Sequence, residues 1–166
     1  MNKLDFSDDE AVYDCALRML ALREHGGADM AEKLLLKGAT QEQADKTVTR
    51  LKAAGLINEQ RYAMAVYHSW LGKKHYGRNH LLGTLTKKLV DTDCRAAVLA
   101  EFTDEMEAQH AEAAAEIFFE KYRRKKFENK RKLWATAAGF MVNRGFGPKY
   151  MDLVLGKFTQ AADTDY

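Results

Sequence analysis

The chain is poor in the residues that break helices and in those that build most catalytic centres. A single proline, Pro148, stands in 166 residues, and no stretch sustains the apolar–polar alternation of a strand. With abundant Ala, Leu, Lys and Glu, that leaves helices as the expected element. The two cysteines, Cys15 and Cys94, fall in different helical stretches and read as small buried hydrophobes in a reducing compartment, not as a disulfide. No window approaches ~18 uncharged apolar residues, so no membrane span is expected. The first residues, MNKLDFSDDE, are acidic where a secretory leader is basic and then apolar, and the expectation is a cytoplasmic protein.

Motifs for chemistry are equally sparse. The histidines are His25, His68, His75, His80 and His110, and none pairs with another at the spacing that places two ligands on one helical face. His75 and His80 read as polar corner residues. Gly26 and Gly27 in LREHGGADMAEKL resemble a helix stop and cap, not a phosphate-cradling loop. Glu101 and Glu105 sit on solvated faces without a histidine or serine partner. No catalytic, cofactor-binding or metal-binding residue is assigned, and no enzyme activity is expected.

What is present is charge, strongly segregated within a net charge of +2. Glu101 to Glu120 holds seven acids and no Lys or Arg; Lys121 to Lys132, KYRRKKFENKRK, holds eight bases against Glu128 alone. Such segregation builds a local field suited to a polyanion or to an acidic groove on a partner. A second basic group, Lys73, Lys74, Arg78, Lys87 and Lys88, has Tyr76 among it, the mixture that serves phosphate contact and base stacking.

The chain also repeats itself. MAEKLLLKGATQEQADKTVTRL, Met30 to Leu51, maps by a shift of 51 residues onto Leu85, Lys88, Asp91, Leu99 and Phe102, and by 107 onto Met141, Arg144, Gly147, Leu155 and Phe158. The slot that starts the second helix reads Thr40, Asp91 and Gly147, all accepted N-caps. Gly38 and Gly145 match, whereas Leu89 replaces glycine, so the middle corner must close without the residue that adopts the left-handed conformation easily. Upstream, Val12, Ala16, Met19, Leu20 and Arg23 fall on Ala63, Tyr67, Trp70, Leu71 and Lys74; a third such helix is expected from about Glu107 to Tyr122. The expected core anchors are Leu34, Val48 and Leu51, then Leu85, Leu99 and Phe102, then Met141, Leu155 and Phe158.

These features resemble the RecX family of RecA regulators. The likeness rests on the Lys-Gly corner of the first unit, Tyr76-Gly77 before the second helix of the middle unit, and KRKL with NRGF (Lys130 to Leu133, Asn143 to Phe146) in the last. The joint with Gly55, Leu56, Ile57, Glu59, Arg61 and Tyr62 adds to it. The resemblance runs from about Tyr13 to Phe158. It implies an all-α fold of three tandem three-helix, helix-turn-helix-like repeats in an elongated, curved arrangement. The expected division is an acidic tail over 1–11, repeats over 12–56, 57–105 and 106–160, and a C-terminal tail over 161–166.

The resemblance further implies a monomeric, non-enzymatic inhibitor that binds along the filament of RecA on single-stranded DNA. Growth of the filament, ATP hydrolysis, strand exchange and repressor cleavage would all be limited. Contact candidates are Lys73, Lys74, Tyr76, Arg78, Lys87 and Lys88 in the middle, and Lys121, Arg123, Arg124, Lys125 and Lys126 in the basic run. Lys130, Arg131, Lys132 and Arg144 complete the set. The residues by themselves leave open a helix-turn-helix DNA binder, for which Gln41, Gln43 and Lys149 would be the base-reading candidates, and a helical protein–protein adaptor.

Overall fold

The computed structural model describes Phe6 and residues 8–164, with side chains through Lys157. Among the described residues every regular element is helical. In order these are α1 (Asp9–Leu20), α2 (Gly27–Lys37), α3 (Gln41–Ala53), α4 (Glu59–Leu71) and α5 (Arg78–Lys87). Then come α6 (Thr92–Glu101), α7 (Asp104–Tyr122), α8 (Lys130–Asn143), a 3-10 turn (Pro148–Tyr150) and α9 (Met151–Thr164). Two compact units form: Met1–Ser69 with Leu85–Val98, and Trp70–Thr84 with Leu99–Tyr166. The N-terminal tail expected over 1–11 lies mostly outside the described residues, and α1 already begins at Asp9 behind its cap Asp8. Helix α9 continues to Thr164.

Three corners share one backbone solution. Each helix end places a left-handed residue, Gly38 (φ 113°), Leu89 (φ 55°) or Gly145 (φ 81°), after its last turn. That residue's N–H reaches back to Leu35, Thr86 or Val142, and the next N–H, of Ala39, Val90 or Phe146, reaches Leu34, Leu85 or Met141. This paired bonding is the Schellman motif, and its hydrophobic clasp is present too, because all six residues of the second set are buried. The middle corner has no glycine, and there Leu89 itself takes the left-handed conformation that glycine takes elsewhere, since the two hydrogen bonds and the buried Val90 hold it there.

The anchors at the helix–helix corners are buried as expected at Leu34, Leu51, Leu85, Phe102 and Met141. Val48, Leu99 and Leu155 are only half-buried; Thr47, Val98 and Val154, one residue earlier, are the buried ones. The correction is the same in each repeat. Both neighbours lie near the inner face at 100° per residue, and the face turned inward is the one four residues before Leu51 and Phe102. The side chain of Phe158, the remaining anchor, lies outside the described residues.

In the first unit, Val12, Ala16, Met30, Leu34, Ala44 and Leu51 close a core on which α1, α2 and α3 meet. Thr40 caps α3 through a capping box: its hydroxyl accepts from Gln43 N–H at 3.2 Å and Gln43 Oε1 accepts from Thr40 N–H at 3.0 Å. Gln41 donates to Asp45. Both glutamines offered as base readers are thus occupied at home.

The pair Gly26-Gly27 is a cap but not a helix stop, because α1 has already ended at Leu20. The missing capping side chain comes from α4: Gly27 N–H donates to Glu59 Oε1 at 3.0 Å, with Lys52 Nζ 2.8 Å from the same oxygen. A Cβ on Gly26 would stand 2.6 Å from the Tyr62 ring. Arg61 donates to Glu24 at 2.6 Å and to the Leu56 carbonyl at 3.1 Å, and Tyr62 donates its hydroxyl to the Lys88 carbonyl at 2.9 Å. The Gly-hydrophobe-acid-Arg-Tyr joint is therefore a structural clamp.

In the second unit the alanine face of α7 (Ala111, Ala114, Ala115) admits α9 closely, and Phe118, Met141, Phe146 and Val154 fill the remainder. The indole N–H of buried Trp70 donates to His80 Nδ1 at 2.9 Å, its ring edge-on to Phe102 and stacked with His110. The expected third upstream helix exists and starts earlier, at Asp104, because Thr103 caps it.

Candidate nucleic-acid interface

The basic run Lys121–Lys132 lies wholly in the second unit. It finishes α7, crosses a short non-helical segment and opens α8, whose cap Asn129 accepts from Lys132 N–H at 2.9 Å. Lys121, Arg123, Arg124, Lys125, Lys126, Lys130, Arg131 and Lys132 are all exposed. Two of them pair locally, Arg123 with Glu120 at 3.2 Å and Lys132 with Glu128. Among the described residues no carboxylate pairs with Arg124, Lys126, Lys130 or Arg131.

The placement of these charges works against the fold. Lys130, Arg131 and Lys132 occupy the first turn of α8 with no acid there, where the helix dipole disfavours cations by about 0.3–1 kcal/mol each. A bound anion would reverse that sign. Beside the run, Lys125, Lys126, Phe127, Glu128, Lys132, Ala135 and Thr136 line an open groove of about 410 Å³. Lys125 Nζ sits 5.5 Å from the Tyr122 ring centre and 5.2 Å from that of Phe127, so the cation keeps one side on aromatic carbon.

The other candidates divide. Lys73 and Lys74 are exposed after α4 in the second unit; Lys87 and Lys88 are exposed and belong to the first. Three candidates are instead spent on packing. The Arg78 guanidinium bonds the carbonyls of Leu99 at 2.6 Å and Phe102 at 2.5 Å, closing the end of α6, and lies 3.6 Å from buried Glu107. The Tyr76 ring packs against His80, tilted by 32° with centroids 4.0 Å apart, and its carbonyl accepts from His110 Nδ1 at 2.9 Å. Arg144 lies over Phe140 at 3.6 Å, its backbone carbonyl accepting from Gly77 N–H. Both motif pairs, Tyr76-Gly77 and Asn143 to Phe146, therefore meet each other.

Sequence reasoning missed three features. Trp134, 52% exposed on α8, was hidden inside an otherwise helical apolar pattern. Glu107 is buried and accepts from Arg78 N–H at 2.9 Å and from the Tyr150 hydroxyl at 3.3 Å. Asp29 is buried between His25, 2.5 Å from Nδ1, and Lys33. Burial alone would raise the Asp29 pKa, but the hydrogen bonds from His25 and Lys33 outweigh it and hold the carboxyl at about 2. No cluster of three or more potential metal ligands occurs among the described residues, and no described helix is long and apolar enough to cross a membrane.

The fold and this surface together define a class: an all-helical protein of repeated three-helix units. The family profile described as RecX, first three-helix domain, matches residues 13–51. Regulatory protein RecX of Pelodictyon phaeoclathratiforme is 30% identical over 131 residues, covering 79% of this chain and 78% of that one. Regulatory protein RecX of Pseudomonas putida is 28% identical over 158 residues, covering 93% of each. The crystal structure of RecX from Lactobacillus salivarius superposes with a TM-score of 0.74 at 18% identity, over 93% of this chain and 99% of that one, and so shares the fold. The chain belongs to the RecX family of regulatory proteins.

Proposed function

We infer that this protein regulates the RecA recombinase by inhibition, binding along the RecA filament on single-stranded DNA. It thereby limits filament growth and, with it, ATP hydrolysis, strand exchange and repressor cleavage. The observation that carries this reading is family membership across most of the chain. The reading is of a cytoplasmic monomer, its modules dividing at 12–56, 57–105 and 106–160. Support for the mode of contact comes from the exposed cations of Lys121–Lys132, held in one unit with few carboxylate partners. Such a segment gains by counterion release when it meets a phosphate backbone and by charge complementarity when it meets an acidic protein surface. Lys73, Lys74, Lys87 and Lys88 are the auxiliary contacts. Arg78, Tyr76 and Arg144 act by holding the scaffold.

The test is co-sedimentation with RecA filaments, with naked single-stranded DNA as control, over a series of salt concentrations. Reversing Arg123, Arg124, Lys125 and Lys126 to glutamate should weaken retention while leaving the helical circular dichroism intact. If all four meet phosphates, the slope of log affinity against log salt should fall by up to about 3, at roughly 0.7 per single-strand contact. Retention equal to the parent at every salt concentration would move the functional surface to Lys73, Lys74, Lys87 and Lys88 or to uncharged helix faces.

A further inference from the structure

Helix α8 is apolar on two sides. One faces the core, where Ala137 and Met141 are buried. The other is a strip in solvent: Trp134 is 52% exposed and Val142 65%, about 12 Å apart along the axis, with Ala135 open and Ala138 half-buried between them. At about 100° per residue, these four and Arg131 share roughly 100° of the helix circumference. Ala137 and Met141 lie to one side of that arc, and Lys132 and Thr136, which line the basic groove, lie to the other. The strip is thus a surface apart from the centre of the groove, touching it only at Ala135. Ala138 packs inward on the core cluster, and as the small residue between Trp134 and Val142 it leaves room above it for an incoming side chain. Helix α8 carries no Asp or Glu, and the one charge on the strip is Arg131, at its N-terminal end.

We propose that this strip docks an acidic amphipathic helix of a partner protein, whose apolar side chains lie over Trp134, Ala138 and Val142 and whose carboxylate, beyond one end of its apolar side, meets Arg131. The match is one of length and charge. Two apolar turns that end in a cation call for two apolar turns that end in an acid, spaced as an amphipathic helix spaces its anchors. An exposed tryptophan beside aliphatic carbon, with charge kept to the rim, is the composition of an interface centre. A nucleic-acid strand fits less well. It brings a phosphate with every nucleotide, and beyond Arg131 the strip has no cation to meet one; Ala138 and Val142 offer no ring face to a base. A basic helix would set like charge against Arg131. The strip stands on its own residues and goes beyond the charge-based contact proposed above.

The experiment titrates the full chain with two synthetic alanine-based helical peptides, each with leucines spaced four apart over two turns; one carries a pair of glutamates one turn beyond them, the other a pair of lysines. Anisotropy of fluorescein-labelled peptide reports binding, and tryptophan emission is followed with unlabelled peptide. The acidic peptide should bind the parent with a blue shift as the indole loses water. Trp134→Phe, which leaves only buried Trp70 to report, should bind nearly as well without that shift. Trp134→Ala should weaken binding about tenfold or more, as removal of an interface anchor does. Arg131→Glu should reverse the preference, toward the lysine peptide, with all variants equally helical. No binding of the acidic peptide, equal binding of the two peptides by the parent, or equal binding by Trp134→Ala and the parent overturns the proposal. So does an oligothymidylate affinity that Trp134→Ala abolishes, which would make the strip a base-stacking surface. Self-association of the parent in sedimentation, lost in Trp134→Ala, would put a second copy of this chain on the strip and overturn it likewise. Retention on RecA filaments, measured separately, decides the regulatory reading and leaves the strip to the peptide result.

Discussion

Leu89 and Gly145 hold the same place in two corners, with the same pair of backward hydrogen bonds, and only one of them has to be glycine. At Leu89 the left-handed backbone is a local cost of about 1–2 kcal/mol that the buried Val90 and its bond to Leu85 offset. At Gly145 a Cβ would lie 2.2 Å from the backbone nitrogen of His80, and the Gly145 carbonyl already accepts from Asn79 N–H at 3.1 Å. A repeated local conformation thus asks only for a dihedral angle. A close backbone approach from another segment asks for the absence of a side chain.

Gly145→Ala is the strongest way to break this comparison. Conformational strain alone accounts for about 1 kcal/mol, but a clash with backbone cannot relax by a rotamer change, and the total should reach roughly 3–5 kcal/mol in chemical denaturation. A loss of only 1 kcal/mol would mean that the two corners are equivalent after all.

The two units differ also in what their charges do. In the first, Asp29, Glu59 and Arg61 are bound into the fold; in the second, the run from Lys121 stays in solvent. Asp29 titrates near 2 when folded against 3.8 as a free carboxyl, so its contribution is complete above pH 3.8 and lost as the pH falls through 2. That slice amounts to about 2 kcal/mol. Denaturation midpoints of the parent should fall over this window, and those of Asp29→Asn should lack that part of the fall.

The shared register error supplies a finer test. Val154→Ala, deep in the second unit, should cost about 2 kcal/mol, and Leu155→Ala, half-buried, clearly less despite losing more atoms. Smaller still, Leu89→Gly should stabilise by up to about 1 kcal/mol, strain relief being partly cancelled by the greater freedom of the unfolded chain. An equal loss for both substitutions in the first pair, or a destabilised Leu89→Gly, would show that the corners and inner faces are not set as described.

The sequence by itself determined the helical class, the three corners and most of the anchors, because helix periodicity, caps and left-handed residues act over a few neighbouring residues. Leu34, Leu51, Leu85, Phe102 and Met141 were legible for that reason. Choosing Val98 over Leu99, or Val154 over Leu155, needed to know which face looks inward, and two adjacent apolar residues carry no such information. The basic run was legible as charge, but not which cations remain available. Arg78, Tyr76 and Arg144 share a composition with their exposed neighbours and are withdrawn into the fold by partners 21 or more residues away, at Leu99, by 34 at His110, and at Gly77. Trp134 is the converse case: on a helix with an apolar stripe it reads as core, and only the packing of α8 turned it outward. Burial and hydrogen-bond satisfaction depend on contacts between segments distant along the chain, so tertiary structure alone decided which of these side chains were left for a partner.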